Sequence, residues 1–109
     1  MAQTHKVLGQ SNPSATTATT LYTCPANTSA IVSSLTIANV SNVAVTYRLS
    51  IRPSGATQTN AMYLAYDAAL PANDTTILTS GLTLAATDVV TCYASTGNVA
   101  FGAYGVEIT

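Results

Sequence analysis

Hydrophobic and polar residues alternate along much of the chain with a period of two, the repeat of a β-strand that buries one face. The clearest case is the segment 43–52, where the odd positions are Val, Val, Tyr, Leu and Ile and the even positions are Ala, Thr, Arg, Ser and Arg. Strict alternation of this kind is typical of an antiparallel sheet that covers a core. The segment is therefore predicted to be a strand with Tyr47 inside and Arg48 and Arg52 outside.

Turn-forming Pro, Gly, Asn and Asp residues divide the rest of the chain into further short apolar segments. Strands are predicted over 19–24, 29–39, 62–66, 75–78, 82–84, 88–94 and 99–108. In the second of these, the period puts Ile31, Leu35 and Ile37 on one face and Val32 on the other. Turns at intervals of about 8 to 12 residues indicate an all-β fold, an antiparallel β-sandwich or jelly roll of about seven to eight strands. Gly102 and Gly105 indicate a bulge or a close backbone approach.

The first eighteen residues lack a clear strand pattern. They contain a Gly-Gln-Ser-Asn-Pro-Ser run, and Ala and Thr dominate the residues that follow it. We therefore predict an extended N-terminal arm over 1–18 and a single β-sandwich domain over 19–109. The start has no apolar segment typical of a secretory signal peptide, and no apolar run approaches the roughly 20 residues of a membrane span, so no membrane partner is expected.

Charge is unusually scarce in this sequence. Asp, Glu, Lys and Arg make up 6% of the residues, against about 25% in an average soluble domain. A surface of Thr, Ser, Ala, Asn and Gln carries little long-range repulsion, which suits packing against copies of itself or against a scaffold. The net charge of −1 also argues against a nucleic-acid partner, which would select for a basic surface.

Candidate chemistry is sparse. The sole histidine, His5, lies in the predicted arm, where a preorganised Ser/His/Asp or Cys/His constellation is not expected. His5, Cys24 and Cys92 are too few and too scattered for a zinc site, and the dispersed glycines form no phosphate-binding loop. Three aspartates lie near turns, which favours binding of backbone amides over calcium: Asp67, Asp74 and Asp88. We therefore predict no enzymatic activity, no catalytic residues, no metal and no cofactor.

Four residues are candidates for a protein interface. Arg48 and Arg52 share the outer face of one strand, which is either a solvated surface or a polar anchor for a partner. Tyr63 and Tyr93 are predicted to lie on the opposite face of their strands from their apolar neighbours. They are either exposed contact residues or part of a second core layer. Tyr66 falls on an apolar face and is predicted to be in the core.

The two cysteines allow two interpretations. Cys24 and Cys92 lie in separate predicted strands, and either both are buried free thiols that act as small hydrophobes or they form a disulfide. Sequence alone does not give the Cα separation on which a disulfide depends.

Several segments resemble a β-sandwich module that is common in the virion proteins of tailed bacteriophages. The similarity covers roughly residues 19–108 and is carried by LYTCPANTSAIVSSLTIAN (21–39), YLAYD (63–67), LTLAATD (82–88) and VVTCYAS (89–95). In that module Val often stands at the positions of Cys24 and Cys92. The joint departure from Val favours a contact between these two residues.

The resemblance implies a virion structural protein. A short chain with an arm, and without a coiled coil or a fibre-shaft repeat, favours a capsid decoration (cement) protein. Such a protein lies on the capsid exterior, binds the major capsid protein, forms a homo-oligomer such as a dimer or trimer, and does not touch DNA. The alternative is a tail, baseplate or fibre component whose β-sandwich contacts a receptor or glycan. A small hydrolase or lectin acting alone would need a convergent polar pocket.

Overall fold

The computed structural model describes residues 2–79 and 81–109, and in this part of the chain nine strands form two antiparallel sheets. The strands are β1 (Gln3–Ser11), β2 (Thr19–Thr23), β3 (Ser29–Asn39), β4 (Val45–Arg52), β5 (Tyr63–Leu70), β6 (Thr75–Leu78), β7 (Leu82–Leu84), β8 (Val89–Ala94) and β9 (Val99–Ile108). The predicted all-β antiparallel sandwich is confirmed. The predicted count of seven to eight strands is too low, because β1 lies in the segment assigned to the arm.

The two sheets enclose a single apolar core. One has the order β1-β9-β3-β6, with β7 also paired to β3, and the other has the order β2-β8-β4-β5. Side chains from both sheets are fully buried between them, among them Leu35, Ile37, Leu49, Leu70 and Val90. Two short 3-10 turns, Pro53–Gly55 and Asn60–Met62, connect β4 to β5. No helix in the described residues is long and apolar enough to cross a membrane.

The N-terminal segment is an edge strand and not a free arm over its first part. β1 pairs with β9 from the Gln3–Ile108 pair to the Ser11–Phe101 pair, and only Leu8 of β1 is buried. The prediction of an arm over 1–18 is therefore wrong for β1, while 12–18 contain no strand. A strand that is held mainly by backbone hydrogen bonds needs few apolar residues. The composition of β1 is therefore polar, like that of a coil segment.

A β-bulge in β3 changes which residues of this strand face the core. Its register against β9 shifts between Val32 and Ser34, so Val32 and Leu35 are both buried. The prediction that they lie on opposite faces is wrong, because the inserted residue reverses the alternation. Opposite the bulge, a side chain at Gly105 would overlap the carbonyl oxygen of Ile31. The close backbone approach predicted for Gly105 is confirmed.

The two cysteines are free and buried. The Cys24 amide donates to the carbonyl of Asp88, whereas Cys92 lies four residues further along β8. At about 3.3 Å per residue, that places them roughly 13 Å apart along the ladder, beyond the approximately 7 Å limit of a disulfide. The free-thiol interpretation is confirmed, and the expected contact between the two residues is wrong.

Candidate functional site

The outer face of the four-stranded sheet carries a cluster centred on Arg48. Its guanidinium carbon lies 4.2 Å from the ring centroid of Tyr66 and 4.3 Å from that of Tyr93. Arg48 Nε donates to Asp67 Oδ1 at 2.7 Å, and Nη2 donates to Oδ2 at 3.3 Å. We call Arg48, Tyr66, Asp67 and Tyr93 the Arg48 clamp. Two aromatic contacts and a bidentate carboxylate fix the guanidinium in one orientation.

A bulge in β5 brings these side chains together. β4 is the central strand, and Tyr93 of β8 is the direct partner of Arg48 on one side. On the other side, Tyr66 and Asp67 both stand opposite Arg48, two residues against one. Asp67 adopts a left-handed conformation with φ 49°, which Asp tolerates better than most residues. Bulges commonly redirect side chains in this way.

The bulge also changes the environment of Tyr66. Its side chain is 54% exposed, so the prediction that it lies in the core is wrong. The period-two pattern assigned it to the apolar face because strict alternation makes no allowance for the extra residue of a bulge. Tyr47, in contrast, is buried as predicted and contacts Phe101 edge to face, with ring centroids 6.4 Å apart.

The ion pair within the Arg48 clamp shifts the pKa values of Arg48 and Asp67 in opposite directions, so that both side chains stay charged. The hydrogen bonds from Arg48 lower the pKa of the Asp67 carboxyl, and those to Asp67 raise the pKa of the Arg48 guanidinium well above its usual range. The clamp therefore presents an ordered aromatic surface whose local net charge is close to zero.

A groove lies next to the Arg48 clamp, with a volume of about 450 Å³. It is lined by Arg48, Ser50, Arg52, Gln58, Tyr63 and Tyr93, together with Thr91, Thr16, Ala18, Thr19 and Thr20. We call it the Arg52 groove. The structure thus brings together the four residues selected from the sequence as interface candidates. Tyr63 also contacts Tyr66, with ring centroids 4.8 Å apart, which joins the groove to the clamp.

The walls of the groove are held by hydrogen bonds within the chain. Arg52 Nε donates to Thr91 Oγ1 at 3.1 Å, and Nη1 donates to the carbonyls of Gly55 and Ala56 at 3.4 and 3.3 Å. Ser50 Oγ donates to Gln58 Oε1 at 2.6 Å. These bonds fix the groove before any ligand arrives.

Sequence reasoning missed three residues of this region: Tyr66, Asp67 and Gln58. A charged residue in the middle of an otherwise apolar segment, as in Tyr-Leu-Ala-Tyr-Asp-Ala-Ala-Leu, is a signal that could have indicated the bulge and the partner of Arg48. Gln58 lies in the irregular connection between β4 and β5, and the sequence contains no comparable signal for it.

The remaining polar candidates have structural roles. Asp74 accepts the Thr75 amide, and Asp88 accepts the amides of Ser54 and Ala85, so the predicted binding of turn amides is confirmed for these two. His5 is exposed on β1. Within 2–79 and 81–109, no three His, Cys, Asp or Glu side chains are grouped so that they could hold a metal ion.

Comparison with known proteins gives no relative for this chain. No protein-family model matches it, and searches of curated proteins and of solved structures return no significant match. The resemblance to the phage module stays a prediction. A function for the chain must therefore be argued from the Arg48 clamp and the Arg52 groove.

Proposed function

We propose that this chain is a virion structural protein, a capsid decoration (cement) protein that docks on the outside of the major capsid shell and stabilises it. The observation that carries the docking role is the Arg48 clamp: an arginine held between two tyrosine rings on the outer face of a sheet. The virion assignment rests on the resemblance of the sequence, and the choice of the capsid exterior rests on the lack of a coiled coil or fibre-shaft repeat in the sequence.

The composition of this face supports protein docking. Arg and Tyr are enriched at the energetic centres of protein interfaces. Side chains that are already ordered lose little conformational entropy on binding. The chain has seven charged residues in all, three basic and four acidic. Three of these seven lie on this face: Arg48, Arg52 and Asp67. The scarcity of charge elsewhere also suits a homo-oligomer, a dimer or trimer, on the shell.

Particle composition tests this proposal. Quantitative mass spectrometry of purified virions, with imaging of the same particles, is expected to find many copies, spread over the head surface. A tail or fibre component would differ in copy number by an order of magnitude or more. Recovery of the protein only in purified tails would contradict the proposal.

A binding experiment tests the docking face itself. Purified protein is added to heads that lack it, and the bound fraction is measured by sedimentation. Truncation of a side chain at the energetic centre of an interface commonly lowers affinity about tenfold or more. We expect a loss of this size for Tyr66→Ala. Ile77→Ala is the control, because Ile77 is 63% exposed on β6 of the opposite sheet. Equal binding of both variants, or a loss only in Ile77→Ala, would place the interface elsewhere.

A tail, baseplate or fibre component that contacts a glycan is the second candidate. The observation that favours it is the pair of tyrosines, Tyr63 and Tyr93, that line the Arg52 groove. No described Asp, Glu or Asn lines the groove, and both ends of the Gln58 amide are hydrogen-bonded within the chain. Few polar groups are therefore free to bind sugar hydroxyls, which makes this the weaker candidate.

A further inference from the structure

We infer that the Arg52 groove is a carboxylate-binding site, and that its ligand is an acidic side chain of the protein partner. Arg52 is the residue that would receive the carboxylate, with Tyr63 and Tyr93 on the walls of the same groove. The identity of the ligand as a protein side chain rests on the proposed docking function. The carboxylate chemistry rests on the geometry and charge of the groove.

Arg52 is fixed in position but keeps unused donors. Its Nε and Nη1 groups donate to Thr91, Gly55 and Ala56, whereas Nη2 has no acceptor among the described residues. No polar side-chain atom in the described residues is both buried and without a partner, so Nη2 is open to solvent. Its two N–H groups can therefore donate to an oxygen that enters the groove.

The charge balance favours a single negative charge. Arg48 is neutralised by Asp67, and within the described residues no carboxylate lies within 4.0 Å of Arg52. Arg52 is thus the one uncompensated cation that lines the described groove. One guanidinium matches one carboxylate, while a phosphate dianion would leave a charge without compensation.

An acidic sugar fits the groove poorly as the source of the carboxylate, since a uronic acid would also need partners for its hydroxyl groups. The Gln58 amide is engaged at both ends, with Ser50 Oγ and with the carbonyl of Thr59. A second copy of the chain is a poorer source, because three of its four side-chain carboxylates are engaged: Asp67 and Glu107 are ion-paired, and Asp88 accepts a backbone amide on each oxygen. Asp74, which accepts one amide, is the exception. A partner protein remains the best source.

A titration of the isolated chain tests the carboxylate site. Backbone amide shifts are followed by NMR with N-acetylglutamate N-methylamide, with its glutamine counterpart and with glucuronate. We expect saturable shifts at 52–58 and at Thr91 with the glutamate compound, and at least ~5-fold weaker binding of the neutral glutamine compound, because the charge-assisted bond is lost. Added salt should weaken the interaction, since the groove is open to solvent.

Two variants assign the binding to Arg52. Arg52→Gln should remove the saturable shifts, while its spectrum elsewhere reports an intact fold. Lys6→Gln is the matched control, because Lys6 is a cation on β1 and its ion pair with Glu107 belongs to the other sheet. Lys6→Gln should bind like the unmodified protein.

Each contrary result has a defined meaning. Equal or tighter binding of glucuronate would assign the site to an acidic sugar and overturn the inference. Shifts that persist in Arg52→Gln, or the absence of saturable shifts, would also overturn it. The glutamate compound could bind while Arg52→Gln still docks on heads like the unmodified protein. That result would show that the carboxylate bound by Arg52 does not come from the protein partner, while the docking function stands. If Tyr66→Ala also docks normally, the proposed docking face fails as well.

Discussion

At the scale of single residues, the contact between Tyr22 and Glu107 joins the two sheets. Tyr22 is buried on β2, and its hydroxyl donates to Glu107 Oε2 on β9 at 2.6 Å. Burial, and then the hydrogen bond to Glu107, raise the pKa of the Tyr22 hydroxyl. The same hydrogen bond, followed by that from Lys6, lowers the pKa of the Glu107 carboxyl. The ionised form of Glu107 is therefore favoured by folding.

The pH dependence of stability should follow from this contact. Because the pKa of Glu107 is lowered in the folded protein, its contribution is present above the unfolded pKa of about 4.3 and is lost as the pH falls through the folded pKa. We expect Tyr22→Phe to lower the free energy of unfolding by about 1 kcal/mol near pH 7. The difference should shrink as the pH falls below about 4.3, because the carboxyl becomes protonated as the pH passes through its lowered folded pKa. Urea denaturation at neutral and at acidic pH measures this.

Tyr47→Phe is the control for the loss of a hydroxyl. Tyr47 is buried to a similar extent, but its hydroxyl donates to none of the described residues. Its removal should change stability by less than about 0.5 kcal/mol. An equal effect of the two substitutions at both pH values would show that the bond to Glu107 contributes nothing.

At the scale of elements, β1 depends on few side chains for its attachment. Leu8 is 9% exposed whereas its neighbour Val7 is 50% exposed. Leu8 is the extra residue of a bulge, because the register of β1 against β9 shifts between Val7 and Gly9. We expect Leu8→Ala to destabilise the protein by about 2 kcal/mol and Val7→Ala by less than about 0.5 kcal/mol. Thermal unfolding of the two variants makes the comparison. A free arm would show no difference between them.

A second prediction for the elements concerns the bulge in β3 where this strand pairs with β9. Gly105 sits where an added Cβ would overlap the backbone of Ile31, while a Cβ at Gly97 would meet nothing within 4 Å. Gly105→Ala should therefore cost about 2 kcal/mol or more, because backbone cannot move as freely as the end of a side chain. Gly97→Ala should be close to neutral. Chemical denaturation distinguishes them, and a neutral Gly105→Ala would contradict this register.

At the scale of the whole molecule, the two thiols report on the integrity of the core. Burial raises the pKa of the Cys92 thiol to about 11 and also raises that of Cys24. Since the thiolate is the reactive form, both cysteines should react slowly with a disulfide reagent in the folded protein. Both should react at once in denaturant, and a reducing agent should leave the melting temperature unchanged. A melting temperature that falls on reduction would indicate a disulfide.

The strand pattern of the fold could be read from the sequence because it is local. Alternation in 43–52 predicted β4 and the inward direction of Tyr47, and the turn residues placed seven further strands within a few positions. The exceptions are β1, whose attachment depends on the backbone of a distant strand, and the direction of residues beyond a bulge. A single inserted residue reverses every later side chain. Nothing in the sequence near Val32 marks the bulge in β3, and near Tyr66 the charge of Asp67 is a signal that the period-two pattern does not use.

The sequence by itself determined that this chain is an all-β sandwich with little charge, and it selected Arg48, Arg52, Tyr63 and Tyr93 as candidates for a protein interface. Those features depend on composition and on neighbours along the chain. Only the tertiary structure decided that these residues share one groove and that Asp67 neutralises Arg48 while Arg52 keeps its charge. Strand order and the β5 bulge bring together residues that are far apart in sequence, and the spacing of residues along a chain does not specify which strands become neighbours.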